Sequence, residues 1–356
     1  MNSTVNTFLD LVAINSVSRN EKTIGEDLAR RLQRLGIETE KDEAGNLFAF
    51  VKGQKETILF NAHMDTVPPA ENAKVVIENG IIKTDHTTAL GADDKAALAA
   101  ILSVLERLIT QKVEHHSLMI LFTTSEEIGL QGASLVAREK LASVSYGYTF
   151  DASGPVGTCI TAAPGYDRIE ATFHGRASHA GFSPETGISA IQMGSEAIAS
   201  MQLLKIDEET TANVGSFLAP GNNNIVNPKA ILTFESRSLD KQKLEKQTGH
   251  MVSCLQEAAR KRGGTVEITV DHMYGSYTLD TACPAFRYLR ETCEALALPY
   301  HEQPTLGGSD ANVFNTKGLT TVVCCCGYEH AHTVHEEISI EQIDRLEKLV
   351  FALATR

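Results

Sequence analysis

Apolar residues recur at helical spacing in two stretches near the start of the chain: Leu9, Leu11, Val12 and Ile14 within residues 4–18, and Ile24, Leu28, Leu32 and Leu35 within residues 22–35. Both predict amphipathic helices. Residues 46–51 and 57–61 then read as strands, with Lys52-Gly53-Gln54 between them. Residues 96–110 predict a strong helix, and 118–123 are a continuous apolar run of the kind a strand buried on both faces requires. A helix over 134–142 and a strand over 146–150 complete a segment in which strands and helices alternate. That alternation predicts an α/β sheet of mixed, mainly parallel order.

The pattern changes after Pro164-Gly165. Residues 167–174 alternate like a half-exposed strand, followed by a helix over 187–203, strands over 214–217 and 229–237, a helix over 239–262 and a strand over 266–273. The order β-α-β-β-α-β is that of a ferredoxin-like α+β domain. Residues 166–275 are therefore expected as a domain inserted into a discontinuous one made of 1–165 and 276–356. The second half of that outer domain predicts a helix over 283–296, a strand over 319–326 and a closing helix over 340–354.

Length agrees with this division, since 356 residues is material for about two domains. Charge removes two classes of partner: 32 basic against 45 acidic residues give −13, which disfavours nucleic acid and anionic membrane surfaces. The longest apolar run, 96–102, is far short of a membrane span, and residues 1–7 lack the basic and apolar segments of a signal peptide. A cytoplasmic protein is expected. Seven cysteines show no repeated spacing, and Cys324, Cys325 and Cys326 are consecutive. Neighbours on a strand point to opposite faces, so these three cannot share one metal, and small core residues in a reducing compartment are the reading that fits.

Five separated segments carry the chemistry: His63-Met64-Asp65, Gly91-Ala92-Asp93-Asp94-Lys95, Ser125-Glu126-Glu127-Ile128-Gly129, Phe150-Asp151 and His330-Ala331-His332. The first four are expected where a strand gives way to a loop or helix, the edge at which parallel α/β sheets bind ligands. Singly each has an ordinary explanation. His63 and Asp65 share one face of an extended chain, and either could be structural. Asp93 and Asp94 could simply cap the following helix. Two acids ending a buried strand, as Glu126 and Glu127 do, are costly unless something pairs them. Together the segments make a ligand set for two ions: Asp93 as a bridge, His63 and Asp151 on one ion, Glu127 and His332 on the other. Glu126 is left beside the metals, where a general base belongs.

These segments identify the chain as resembling the peptidase T, carboxypeptidase G and aminoacylase superfamily of dinuclear zinc hydrolases, and peptidase T-like members most of all. The likeness runs from Phe8-Leu9-Asp10-Leu11-Val12 through His332-Thr333 and Glu336 to the final helix. Asn61 to Val67 is similar to the first metal motif, in which Asp65 would support His63. Gly91 to Lys95 is similar to the second, whose first Asp bridges the ions and precedes a cis peptide. The resemblance makes Glu126 the catalytic base and implies two divalent ions, with zinc expected and cobalt or manganese as alternatives. It also implies that 166–275 acts as a lid and that dimeric members associate through it. Within that lid His179 would help hold the reacting carbonyl, and in the dimers it reaches across from the partner subunit. Asn224, in the Asn-rich turn 222–228, Arg237 and Gly308 would contact the substrate, Arg237 through a free carboxylate.

The expected reaction is hydrolysis of an amide bond in a small peptide. Divalent ions lower the pKa of a shared water towards neutrality, and Glu126 would take its proton. The alternative substrate is an N-acyl amino acid, from which an amidohydrolase would release the acyl group.

Overall fold

The structure is a computed structural model that describes residues 3–356, so the first two residues of the polar start lie outside it. The chain forms two compact units. One runs to Ala162 and resumes over Thr278–Thr305 and Ser309–Arg356, and the other comprises Ala163–Tyr277 with Leu306–Gly308.

In the first unit the strand Lys55–His63 lies between His116–Thr123 and Val144–Ala152, parallel to both. Thr321–Cys325 runs parallel to Val144–Ala152 on its other side. Antiparallel strands flank this centre: Leu47–Val51 beside His116–Thr123, and Thr158–Ala163 beside Thr321–Cys325. Leu59, Phe60, Ile120, Phe122, Tyr148, Phe150 and Val322 are buried, as central parallel strands require. Cys324, Cys325 and Cys326 are buried free thiols of this core. The helix Ala92–Gln111 buries every residue from Ala96 to Leu105, and it packs against the helices Ser3–Val12 and Ile340–Thr355. Three parallel strands thus end at one edge, carrying His63, Glu126-Glu127 and Asp151 there.

Asp93 arrives by another route. It follows a loop, not a strand, because residues 85–91 after the strand Ile81–Thr84 are irregular. The hairpin Val75–Glu78 and Ile81–Thr84 has no counterpart in the periodicity reading above, although Asn79 and Gly80 are a strong turn signal. Both residues have positive φ, 52° and 80°, as a two-residue hairpin turn requires. The hairpin pairs with Glu337–Ser339, which pairs in turn with Tyr328–Glu329. This small antiparallel sheet brackets the segment that bears His332.

The second unit is an antiparallel sheet in the order Leu204–Lys205, Thr210–Leu218, Lys229–Ser238, Gly165–His174, Thr265–Tyr274. The helices Ala190–Ser200 and Lys241–Arg262 pack on it. Ile169, Ala171 and Phe173 are buried with Leu232, Phe234, Met193, Met251 and Leu255, and the residues between them on the strand are more exposed. Apart from the short first strand this is the ferredoxin-like arrangement.

Element ends differ from the periodicity where polar contacts intervene. The first helix stops at Val12 rather than near residue 18, because Val17 bridges to Thr66 and the Ile14 carbonyl accepts the buried Lys95 ammonium at 2.7 Å. The helix expected over 134–142 divides into Gln131–Leu135 and the 3₁₀ turn Arg138–Leu141. Lys317 Nζ takes the carbonyls of Ala133, Ser134 and Val136 at 3.0, 2.9 and 2.7 Å, so those groups are satisfied without a continuing helix.

Candidate metal centre

His63 ends its strand almost wholly buried. Its Nδ1 lies 3.0 Å from the Asp65 carbonyl oxygen and 3.4 Å from Asp65 Oδ1. The other nitrogen, Nε2, faces Asp93 Oδ1 at 3.0 Å and Asp151 Oδ1 at 3.7 Å. A ring oriented through Nδ1 with Nε2 turned to carboxylates is how metal-binding histidines are held. Across the cluster, His332 Nε2 lies 3.3 Å from Asp93 Oδ2 and 2.8 Å from Glu127 Oε1. The two oxygens of Asp93 therefore face different histidines.

Asp65 does more than orient His63. Its Oδ1 accepts the main-chain N–H of Glu126 at 3.0 Å, and its Oδ2 accepts that of Glu127 at 3.2 Å and the Ser18 hydroxyl at 2.7 Å. Glu21 supports the same turn one residue earlier, its Oε1 accepting from Ser125 N at 2.9 Å and Ser125 Oγ at 3.0 Å. Ser125 has φ 54°, a conformation non-glycine residues adopt reluctantly, so two buried acids hold a strained turn that presents Glu126 and Glu127. Asp94 turns away from Asp93 and accepts the His63 N–H at 3.1 Å. The Asp93–Asp94 peptide is cis.

Burial governs the protonation of this cluster. It pushes Glu126 and Asp94 well above the usual carboxylate range, Glu127 upward, and Asp151 to about 7. Burial would lower His63, but hydrogen bonds with Asp151, Asp65 and Asp93 outweigh it and hold the imidazole well above its ordinary value. His332 is pushed up to about 10 by Asp93 and Glu127. Burial would raise Asp93, but His332 and His63 hold it below the usual range. Burying several acids around two histidines in this way makes a setting that a divalent cation would stabilise.

The donor set fits such ions. Among the described residues His63, Asp93 and Asp151 can direct one ligand atom each to a common point, as can Asp93, Glu127 and His332, with Asp93 common to both. His63, Glu126 and Glu127 form a third such group. Among the described residues Glu127 Oε1, which is buried, has no hydrogen-bond partner although His332 Nε2 is only 2.8 Å away. Two donors that close, yet not aimed at each other, are what a shared third atom would leave.

The remaining predicted residues lie in the second unit. His179 is exposed, and its Nδ1 accepts the N–H groups of Gly181 and Phe182, both at 3.1 Å. Its neutral proton is therefore on Nε2. Asn224 is exposed and holds this loop through its carbonyl, which accepts from Ala180 N at 2.9 Å. Arg237 stacks over the Tyr166 ring at 4.6 Å, donates to Tyr274 Oη at 3.3 Å and Glu235 Oε2 at 3.2 Å, and leaves Nε buried without a partner among the described residues. Gly308 packs against Tyr274 so closely that a Cβ would collide with the ring. Arg237 and Gly308 thus meet at Tyr274, while His179 and Asn224 share a different pair of loops.

Three further buried acids support the cluster, and none of them is assigned a role of its own from the sequence. Asp310, raised to about 6 by burial, accepts from Thr123 Oγ1 and from Asn61 Nδ2 at 3.3 Å, with Oδ1 unpartnered among the described residues. Glu21 and Glu336 are the others. Asp310 had a local signal in the Gly-Gly-Ser-Asp run, whereas nothing local separates Glu21 or Glu336 from a surface glutamate.

Residues 59–356 match the profile of peptidase family M20/M25/M40. The chain is 39% identical to the uncharacterized protein YqjE of Bacillus subtilis, over 97% of this chain and 96% of that protein. Among solved structures it is similar to a tripeptidase from Staphylococcus aureus, with a TM-score of 0.92 and 35% identity over 99% of this chain and 97% of the other. The aminopeptidase PepT of Bacillus cereus gives a TM-score of 0.86 and 35% identity with the same coverage.

Proposed function

Because this chain belongs to peptidase family M20/M25/M40, and is therefore a peptidase, we propose that it is a dinuclear metal-dependent exopeptidase that removes the N-terminal residue of tripeptides. The observation that carries this reading is the position of Asp93, each oxygen facing one histidine of a separate ligand group. Likeness to a tripeptidase and to an aminopeptidase at 35% identity supports the substrate class.

His63 and Asp151 would hold one ion and Glu127 and His332 the other, with Asp93 between them; zinc is the expected metal. When bound, divalent ions polarise the scissile carbonyl and acidify water. Glu126 takes the proton of the attacking water as its oxygen bonds to the carbonyl carbon. The same carboxyl then returns that proton to the amine as the C–N bond breaks. His179 offers its Nε2–H to the developing oxyanion, and its Nδ1 contacts fix the tautomer that this needs. Arg237 has a buried Nε without a partner among the described residues and a fork that would match a substrate carboxylate.

The test compares tripeptides with free termini, dipeptides and N-acetyl amino acids as substrates, with Zn²⁺, Co²⁺ or Mn²⁺ added. Release of the N-terminal residue from tripeptides, abolished by chelation, is the expected result. Faster cleavage of N-acetyl amino acids would replace this reading with a deacylase.

A further inference from the structure

Glu336 is 1% exposed and uses both carboxylate oxygens on one loop. Its Oε2 accepts the N–H groups of Leu90 and Gly91 at 2.9 and 2.8 Å, and its Oε1 accepts that of Asp93 at 3.1 Å. That loop lacks strand partners of its own, and Gly91 enters the helix with φ 72°. The carboxylate thus replaces the ladder that a β-strand would have supplied to the residues before Asp93.

Glu336 also belongs to the segment that carries His332. Between them the chain is tied by short turns: Thr333 N to His330 O at 3.3 Å and Glu336 N to Thr333 O at 3.1 Å. Directly after Glu336, residues Glu337–Ser339 pair with the hairpin and with Tyr328–Glu329. His332 itself has φ 67° and a half-exposed side chain, so among the five ligand candidates it has the least support from its own surroundings. One side chain therefore joins the loop of Asp93 to the loop of His332.

We propose that Glu336 is a positioning residue that sets the affinity of the ion shared by Asp93, Glu127 and His332; this rests on the dinuclear reading above. The first ion keeps His63 and Asp151, which the central strands hold independently of Glu336. The second depends on Asp93 and His332, whose loops Glu336 joins directly, beside the His86 Nδ1 contact with the Val334 carbonyl at 3.0 Å and the pairing of Glu337–Ser339 with the hairpin. Supports of this kind, one step removed from the ligands, are typically worth about 10–100-fold in metal affinity. In Glu336→Gln the amide nitrogen faces N–H groups where an oxygen accepted them.

Titration of the metal-free chain with Co²⁺, followed by visible absorption and calorimetry, tests this without measuring turnover. The wild-type chain should bind two ions. Glu336→Gln, folded by circular dichroism, should bind the second ion about 10–100-fold more weakly and the first, which has only Asp93 in common with it, with a distinctly smaller loss, and should show an altered cobalt spectrum at saturation. Wild-type affinity for both ions overturns the proposal, and so does equal weakening of both. If the Gln variant does not fold, Glu336→Asp, one methylene shorter with both oxygens kept, gives the same readout and is judged by the same two outcomes. A wild-type chain that binds only one ion defeats the dinuclear reading itself, before any variant is compared.

Discussion

Asp65 Oδ1 accepts the main-chain N–H of Glu126 at 3.0 Å while the same residue holds His63 through its carbonyl, also at 3.0 Å. One residue thereby sets the distance between His63, a proposed ligand of the first ion, and the proposed general base. The pairing cannot be replaced by water, since Asp65 is fully buried. Asp65→Asn puts an amide N–H against at least one of the donors it now accepts. Activity should fall about 10–100-fold, with weaker binding of the first ion and a smaller effect on overall fold. Metal analysis beside kcat/KM checks this, and undiminished activity would leave Asp65 merely structural.

Glu126 and Glu127 are neighbours with different expected roles. Glu126→Gln keeps the volume but cannot accept a proton, so both ions should remain while kcat falls about 10²–10⁴-fold. Glu127→Ala removes a ligand atom and should lose one ion. Equal metal loss in the two variants, or near-full activity in Glu126→Gln, would mean that the pair has been reversed or misread.

Metal removal should make stability depend on pH in a defined direction. Burial raises Asp151 from 3.8 to about 7 and Glu336 from 4.5 to about 7. Acids raised on folding contribute stability that is fully present below their unfolded values and is lost as pH rises through the folded ones. His332, raised from 6.5 to about 10, acts in the same direction at higher pH. Asp93 is lowered, and its contribution changes only below the ordinary value of 3.8. The metal-free chain should therefore melt at progressively lower temperature as pH rises from about 4 to about 7, the window of the two acids. Zn²⁺ should remove most of that slope by binding the folded state. Thermal melts in chelator and in Zn²⁺ decide it; a metal-free Tm that climbs with pH would contradict the burial argument.

Arg237→Met should discriminate between substrates. A hydrogen bond to a charged partner is worth about 1.5–3 kcal/mol, or roughly 10–100-fold in kcat/KM. That loss is expected for tripeptides with a free carboxylate and not for the same peptides capped as amides. Equal losses for both would show that Arg237 does not read the carboxylate and only packs on Tyr166.

His179→Ala should leave folding and metal content unchanged, because the side chain is exposed and bonds only Gly181 and Phe182 in its own loop. If it meets the substrate mainly in the transition state, kcat should fall more than KM rises. Wild-type kinetics would remove it from the mechanism.

Local pattern was enough to read the layered fold and to pick out side chains that gather around Asp93. Parallel strands buried on both faces leave continuous apolar runs, and His63, Glu126-Glu127 and Asp151 stand where those runs stop. The alternation of 167–174 likewise marks a strand with one face on helices, which the structure shows. Such features depend on a few neighbouring residues, so the sequence determined them. What it left open depends on partners distant along the chain. Residues 90–93 are clamped by an acid 243–246 positions away, and no periodicity records that distance. The hairpin at Asn79-Gly80 becomes meaningful only when Glu337–Ser339 joins it beside the His332 loop. Tertiary structure alone decided which nitrogen of His63 faces the carboxylates, and that Asp94 accepts an N–H while Asp93 faces both histidines. The physical reason is that a carboxylate's role is set by what burial places against it, and burial is a property of the assembled chain.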